Sequence, residues 1–356
     1  MDLGRLIEEN PGLCRLARRA RQDPDAPFTI LTAKIKLTWR CNLRCRVCAL
    51  WRLGGRPESQ AMSAADIGAL LAGLVRLGLR KVHFSGGEPL LREDFDEIVR
   101  RAVSLGLQVN LTTNGTLLDK DRARTLVDSR IHTVAFSLDA AQAKKHDALR
   151  GVEGAWGMTW KGIDRLQTRN QAKGRGPVVA VNTVVCRKNI EDMGALFSLL
   201  KERGIESWRL LPVRTADKKL RPTSDQWARL KDQWSDWRPL LTRGLTVWRS
   251  PRQARLAAKG RYAVPSPVAP TCLAPWFNLF IDADGAAYPC CTGRQTMPAY
   301  GNVLSMNLDD LPSFLGGREI RASLASGHPF EVCRTCDEFH LENEALERAA
   351  RKTEEK

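Results

Sequence analysis

The chain has 356 residues with 43% apolar and 27% charged side chains, which excludes wholesale disorder, and about 150 residues per domain suggests two domains. No apolar run is long enough to span a bilayer, and the start, Met1-Asp-Leu-Gly-Arg-Leu-Ile-Glu-Glu, lacks the order of a secretion signal, so a cytoplasmic location is expected. Lys and Arg number 56 against 40 Asp and Glu, a formal charge of +16 that favours anionic partners without naming one.

Residues 1–32 read as a lead-in, a short basic helix followed by a Pro-containing stretch. Residues 33–39 alternate, with Ile35, Leu37 and Trp39 on one face of a strand. Residues 63–79 form a helix: Ser63 can cap it with Asp66 three residues on, and Ile67, Leu70, Leu71 and Leu74 share a face. Strands follow at 81–85, 108–113, 132–138, 178–185 and 208–213. Helices lie between them at 94–105, 121–127, 157–168 and 190–203. Six strands alternating with helices between residues 33 and 214 predict a parallel sheet, a partial (β/α)6 TIM-like barrel whose active groups collect at the carboxyl ends of the strands. Residues 215–270 read as a basic insert; within it, 216–262 carries 12 basic and 4 acidic residues with Trp227, Trp234, Trp237 and Trp248. Residues 271–340 then turn to short strands and Cys pairs, a small α+β domain, and 341–356 form a charged, helical tail.

Ten cysteines in such a chain point to metal or redox chemistry rather than disulfides, and seven fall in two groups. Cys41-Asn-Leu-Arg-Cys45-Arg-Val-Cys48 places three thiols in a loop after the first strand. Three thiolates on a 4Fe–4S cube leave one iron open, whereas zinc takes two separated pairs or a nearby His, and neither is local. Ser85-Gly-Gly-Glu-Pro89 ends the second strand: the glycines permit positive φ and close approach to a ligand, and Glu88 can accept from an ammonium. Thr112-Thr-Asn-Gly-Thr116 ends the third strand and Ser137-Leu-Asp139 the fourth.

This ordered set resembles the radical S-adenosylmethionine (SAM) superfamily over residues 33–214, with Val47 where the family usually has an aromatic residue. The resemblance implies that Cys41, Cys45 and Cys48 hold a 4Fe–4S cluster. It implies that Gly86, Gly87, Glu88 and Pro89 bind the amino group of SAM, and that Asn114, Ser137 and Asp139 stand at further cofactor positions, with Asp139 and Ser137 facing its ribose or carboxylate. Arg150 and Asn182 join this set, each equally readable as a satisfied polar group. It further implies that one electron from a carrier such as flavodoxin or ferredoxin cleaves SAM, and that the 5′-deoxyadenosyl radical abstracts hydrogen from a substrate C–H.

In the second group, Phe277, Leu279 and Ile281 alternate as a strand after Cys272, Asp284-Gly285 makes a hairpin turn, and the return strand ends at Cys290-Cys291. With Cys333 and Cys336 this gives a closed four-thiolate site, Cys272, Cys290, Cys333 and Cys336, which suits an auxiliary 4Fe–4S cluster or structural zinc. The pattern resembles the SPASM/Twitch extension of radical SAM enzymes over residues 271–337, and implies one auxiliary 4Fe–4S cluster. Cys291 and Cys186 are either buried thiols or hydrogen-atom donors to a substrate radical; Cys14 is incidental. The basic segment reads as a packed helical linker, in preference to an RNA-binding surface.

The function expected is hydrogen abstraction followed by net oxidation or epimerisation of a small polar substrate, such as an aminocyclitol or sugar. A maturase of ribosomally made peptides is the alternative. An RNA-modifying enzyme and a non-catalytic iron–sulfur scaffold are the readings from other classes. No membrane partner is expected.

Overall fold

The computed structural model describes residues 10–48, 50–53, 60–237, 240–243, 251–262, 272–295, 297–313, 315–326 and 330–336. The expected helical tail, Trp248 and the side chain of Trp234 lie outside them.

Six parallel strands run in the expected order: β1 (Thr32–Lys36), β2 (Lys81–Ser85), β3 (Gln108–Thr113), β4 (Thr133–Ser137), β5 (Val178–Val185) and β6 (Ser207–Pro212). Between them lie α2 (Ala64–Arg76), α3 (Phe95–Ser104), α4 (Lys120–Asp128), α5 (Ala143–Arg150), α6 (Ala155–Lys173) and α7 (Met193–Glu202); α1 (Pro11–Gln22) precedes β1. Helix α2 starts as its sequence requires. Ser63 Oγ accepts from the Asp66 amide at 3.1 Å and Asp66 Oδ2 from the Ser63 amide at 2.9 Å, a reciprocal cap worth about 1 kcal/mol. Its apolar stripe, Ile67, Leu70, Leu71 and Leu74, is buried against the outward side chains of the strands, among them Ala33 and Ile35 of β1, Val82 and Phe84 of β2, and Val109 and Leu111 of β3.

The sheet extends beyond the six units. A short seventh strand, β7 (Leu241–Arg243), joins β6 in parallel. The C-terminal hairpin, β8 (Asn278–Ile281) and β9 (Ala286–Tyr288), is hydrogen-bonded into the same sheet: β8 pairs in parallel with β1, and β10 (Gly301–Asn302) follows β9. The order is β10-β9-β8-β1-β2-β3-β4-β5-β6-β7, an open sheet consistent with a partial barrel. The region that reads in sequence as a separate small domain thus begins as a direct neighbour of the first barrel strand.

The two described Trp side chains of the basic segment pack rather than project. Trp227, on α8 (Ser224–Asp232), is fully buried, and so is Trp237, at the end of α9 (Trp234–Trp237). Trp237 meets Trp208 at 5.3 Å and Phe197 at 6.3 Å between ring centroids. Cys14 is buried with Ala17 and Ala20 of α1 against Leu273, Trp276 and Phe277.

Candidate active site

β1 ends at Lys36, three residues short of the expected strand, and the chain crosses the carboxyl end of β2 before entering the first cysteine loop. The Gly87 amide donates to Thr38 O at 2.8 Å and the Glu88 amide to Arg40 O at 2.7 Å. A Cβ at Gly87 would overlap the Arg40 carbonyl, and one at Gly86 would stand 2.6 Å from the Thr38 carbonyl oxygen. Of the two glycines, Gly86 has the expected positive φ, 159°, and Gly87 does not; the protein's own backbone comes close to both.

Glu88 is fully buried and caps the short helical turn that begins at Pro89. Its Oε1 accepts from the Leu90 amide at 3.0 Å and from Thr113 Oγ1 at 2.6 Å, and its Oε2 from the Asn114 amide at 2.7 Å. Protein donors therefore occupy three of the carboxylate's roughly four acceptor positions, leaving one. Burial pushes its pKa up, opposed by those same hydrogen bonds.

The three thiols of the loop gather in one apolar cluster with Leu43, Ala155 and Val152. Burial pushes Cys41 up to about 11, and Cys45 and Cys48 add to the rise. Each sulfur meets nitrogen donors. Cys41 Sγ accepts from the Leu43 amide at 3.4 Å and from Asn114 Nδ2 at 4.0 Å, Cys48 Sγ from the Leu50 amide at 3.4 Å, and Cys45 Sγ from Arg150 Nη1 at 3.9 Å. Asn114 Nδ2 also donates to Asn42 Oδ1 at 2.8 Å, and Asn42 Nδ2 to Thr116 Oγ1 at 2.8 Å, so the loop is tied to the end of β3.

Asp139 and Arg150 form a buried ion pair, Nε to Oδ2, at 2.9 Å, and Asp139 Oδ1 accepts from the Val184 amide at 2.9 Å. These two expected cofactor contacts are thus engaged with each other. Buried His146 accepts from the Asp139 amide through Nδ1, and burial lowers its pKa to about 3, so the ring is neutral. Ser137, the last residue of β4, sits beside Asn182 within β5. Asn182 Nδ2 donates to Thr112 at 3.4 Å, while Asn182 Oδ1 and Asn110 Oδ1 are buried with no hydrogen-bond partner among the described residues. Cys186 is fully buried with Leu149, Val213, Val47 and Val184, the surroundings of a packing thiol, and burial pushes it up to about 11.

In the second group, burial pushes the Cys290 thiol far up, and Cys291, Cys336 and Cys272 each add to the rise; Cys336 in turn raises Cys333, which links the fourth expected ligand to this neighbourhood. Cys333 stands on a tight helical turn (Glu331–Thr335) and Cys336 caps its end, its amide donating to Cys333 O at 3.1 Å. The loop after Cys290 reaches two flanks of the sheet. Arg294 pairs with Asp282 just past β8, and Thr292 accepts from Arg214, just past β6, at 2.7 Å.

Sequence reasoning missed the group beside this loop. Lys36 lies on the face of β1 opposite Ala33 and Ile35, its side chain 11% exposed. Its Nζ stands 4.0 Å from Asp282 Oδ1 and 5.4 Å from the centre of the Phe280 ring. Asp282 is already held by Arg294 and by Trp39 Nε1 at 3.1 Å. Desolvation lowers the Lys36 pKa to about 8, with Asp282 and Cys291 resisting and Arg294 and Lys34 assisting. Two lysines alternating with apolar residues, Lys34 and Lys36, were the signal: charges on the enclosed face of a barrel strand.

By chemistry the thiols suit the groups the sequence implies: the first three share one apolar cluster and those of the second group act on one another's charge, each buried or half-buried, while among the described residues no three His, Cys, Asp or Glu side chains are placed to hold a single metal ion.

A model of the radical SAM superfamily matches residues 35–200, and a model of an iron–sulfur cluster-binding domain, SPASM, matches residues 272–337. The chain belongs to the radical SAM superfamily of enzymes. Its C-terminal part is a SPASM-type iron–sulfur domain, which favours iron–sulfur over zinc at the second cysteine group; SAM and iron–sulfur clusters are its cofactors. The chain is 28% identical over 210 residues to an AdoMet-dependent heme synthase of Oleidesulfovibrio alaskensis, covering 59% of this chain and 48% of that protein. It is 38% identical over 137 residues to a probable GTP 3′,8-cyclase of Methanopyrus kandleri, covering 35% and 43%. The chain spans about half the length of the curated relatives it matches. Among solved structures it is similar to SuiB of Streptococcus suis bound to S-adenosylmethionine, with TM-score 0.63 at 19% identity over 92% of this chain and 76% of that one. It is also similar to anSMEcpe bound to AdoMet and a Cp18Cys peptide, with TM-score 0.62 at 18% identity over 87% and 86%. At these identities the likeness is one of fold. No described helix is long and apolar enough to cross a membrane.

Proposed function

We propose that this radical SAM enzyme oxidises a small polar substrate that carries an anionic group, held between its two cysteine groups. In this reading Cys41, Cys45 and Cys48 carry the 4Fe–4S cluster that binds SAM, and Cys272, Cys290, Cys333 and Cys336 carry one auxiliary 4Fe–4S cluster. Bound together, the first cluster and SAM supply a 5′-deoxyadenosyl radical that removes hydrogen from a C–H bond. The protein supplies orientation and excludes water. With SAM bound, the open position on Glu88 would accept from its ammonium, with Gly86 and Pro89 shaping the backbone around it, and Ser137 and the unpaired Asn182 oxygen would serve its ribose.

The observation that carries the substrate class is Lys36. It stands five residues before Cys41, with Cys291 close enough to act on its charge, and its nearest carboxylate, Asp282, is shared with Arg294. A buried ammonium so weakly paired favours an anionic group brought by the substrate. The loop from Cys290 runs beside that position, which suits removal of a second electron and hence net oxidation rather than epimerisation.

Peptide modification is the second reading, favoured by the fold shared with anSMEcpe bound to a peptide and by the basic segment, which suits an acidic peptide. The test is anaerobic reconstitution with iron and sulfide counts, followed by dithionite and SAM. About eight irons per chain with release of 5′-deoxyadenosine is expected. About four irons with zinc would remove the oxidative role of the second site, and failure to bind SAM with both clusters present would overturn the enzymatic assignment of these residues.

A further inference from the structure

The three sulfurs of the first cysteine group have unequal surroundings. Cys41 and Cys48 accept from neutral donors, the Leu43 and Leu50 amides and the Asn114 side chain. Cys45 takes its hydrogen bond from a guanidinium, that of Arg150. Arg150 is fixed from three directions. Its Nε is 2.9 Å from Asp139 Oδ2, and Asp139 is itself buried and held by the Val184 amide. Its carbonyl accepts from the Arg44 amide at 3.0 Å, and the preceding carbonyl, of Leu149, accepts from the Arg46 amide at 2.9 Å. The two residues flanking Cys45 are therefore bonded to the last turn of α5, whose side chain reaches the sulfur between them. Gly151 makes this possible. It ends α5 at φ +71°, and a Cβ there would overlap the Arg44 carbonyl.

We infer that Arg150, anchored by Asp139, sets the reduction potential of the cluster carried by the first cysteine group. The inference rests on the proposed assignment of a 4Fe–4S cluster to Cys41, Cys45 and Cys48. One-electron reduction adds one negative charge to that cluster. A fixed positive charge and a hydrogen bond at a ligand sulfur stabilise the reduced form more than the oxidised form, and little water competes at this depth. Arg150 therefore raises the potential and eases electron entry from a one-electron donor. This is a role for Arg150 through Cys45 rather than through SAM, and it accounts for a buried charged pair beside the first cysteine loop.

The test is a potentiometric titration of reconstituted full-length protein followed by electron paramagnetic resonance, with iron counted in each sample. The first cluster is identified as the one whose signal changes on adding SAM. Wild type is compared with Arg150→Met, which removes the charge, and Arg150→Lys, which keeps it without the fork that spans Asp139 and Cys45. In Arg150→Met the first cluster shifts to more negative potential, read as a several-fold smaller reduced fraction at the wild-type midpoint. In Arg150→Lys the shift is smaller, and the second cluster keeps its midpoint in both. An unshifted first cluster in a fully loaded Arg150→Met protein overturns the inference. So does loss of the first cluster from both variants, which would make Arg150 a structural support alone. Wild-type protein with no iron at the first group would defeat the proposed function itself, and the inference with it.

Discussion

Thr113 Oγ1 lies 2.6 Å from Glu88 Oε1 in a fully buried contact, so the ends of β2 and β3 are joined through the one carboxylate of the Gly-Gly-Glu-Pro turn. The same carboxylate takes the amides of Leu90 and Asn114, and Asn114 in turn reaches Cys41. Glu88 is a keystone of the cysteine loop whatever ligand it also meets.

Glu88→Gln is therefore expected to destabilise the protein before any cofactor is added. A glutamine keeps one acceptor oxygen and turns an N–H toward donors, leaving a buried group unsatisfied at a cost of about 1–3 kcal/mol. Thermal melting checks this, and an unchanged midpoint would leave Glu88 with a ligand-binding role only.

Gly151→Ala is expected to loosen the first cysteine loop. The left-handed φ alone costs a residue with a Cβ about 1–2 kcal/mol, and overlap with the Arg44 carbonyl adds to that. Less iron retained at the first group after reconstitution, with the second group still loaded, is the outcome to look for. Equal loading with an equal melting midpoint would mean that the loop yields freely.

Lys36 gives the chain a pH signature. Its folded pKa is lowered to about 8 from 10.5, so between those values the unfolded chain holds more protons, and stability rises with pH across that window. The destabilising effect of the desolvated ammonium is fully present below pH 8. Lys36→Met is expected to be more stable than wild type at pH 7, by on the order of 1–3 kcal/mol, with the advantage shrinking above pH 8. Denaturant midpoints at pH 7 and pH 10 measure it; parallel behaviour at both would show that Lys36 is well solvated.

Trp237→Ala is expected to cost about 3–5 kcal/mol, because its ring packs on Trp208 and Phe197 in the core. A base-stacking residue would instead lose RNA retention with little change in stability. Urea midpoints together with a filter-binding assay separate the two.

Much of the molecule was legible in its amino-acid order. The strands from residue 81 to 213 follow from runs of β-branched and apolar residues between helices with a 3.6-residue period, and Ser63 with Asp66 marks a helix start without reference to anything distant. Three thiols spaced over eight residues after a strand, and a Gly-Gly-Glu-Pro turn after the next, specify a cluster loop and the backbone beside it. These signals are local, so neighbouring residues along the chain suffice to write them. Helix α5 escaped notice because its eight residues lack a long apolar stripe, yet it carries Arg150.

Tertiary structure alone decided who meets whom. Asp139, Asn114 and Arg150 enter as cofactor positions through the family resemblance. Folding also sets them against Cys45, Cys41 and one another, since a buried charge finds its partner across the chain, Asp139 with Arg150 and Glu88 with Thr113. Pairing of β8 with β1, separated by more than 200 residues, is written in no local pattern, and it is that pairing which brings Asp282 and the Cys290 loop to Lys36. Sequence determined the chemistry available, thiols, a cationic strand face and a glycine turn, because those are properties of residue type and spacing. Which sulfur faces a positive charge, and which lysine is left without a firm partner, depends on packing between distant segments.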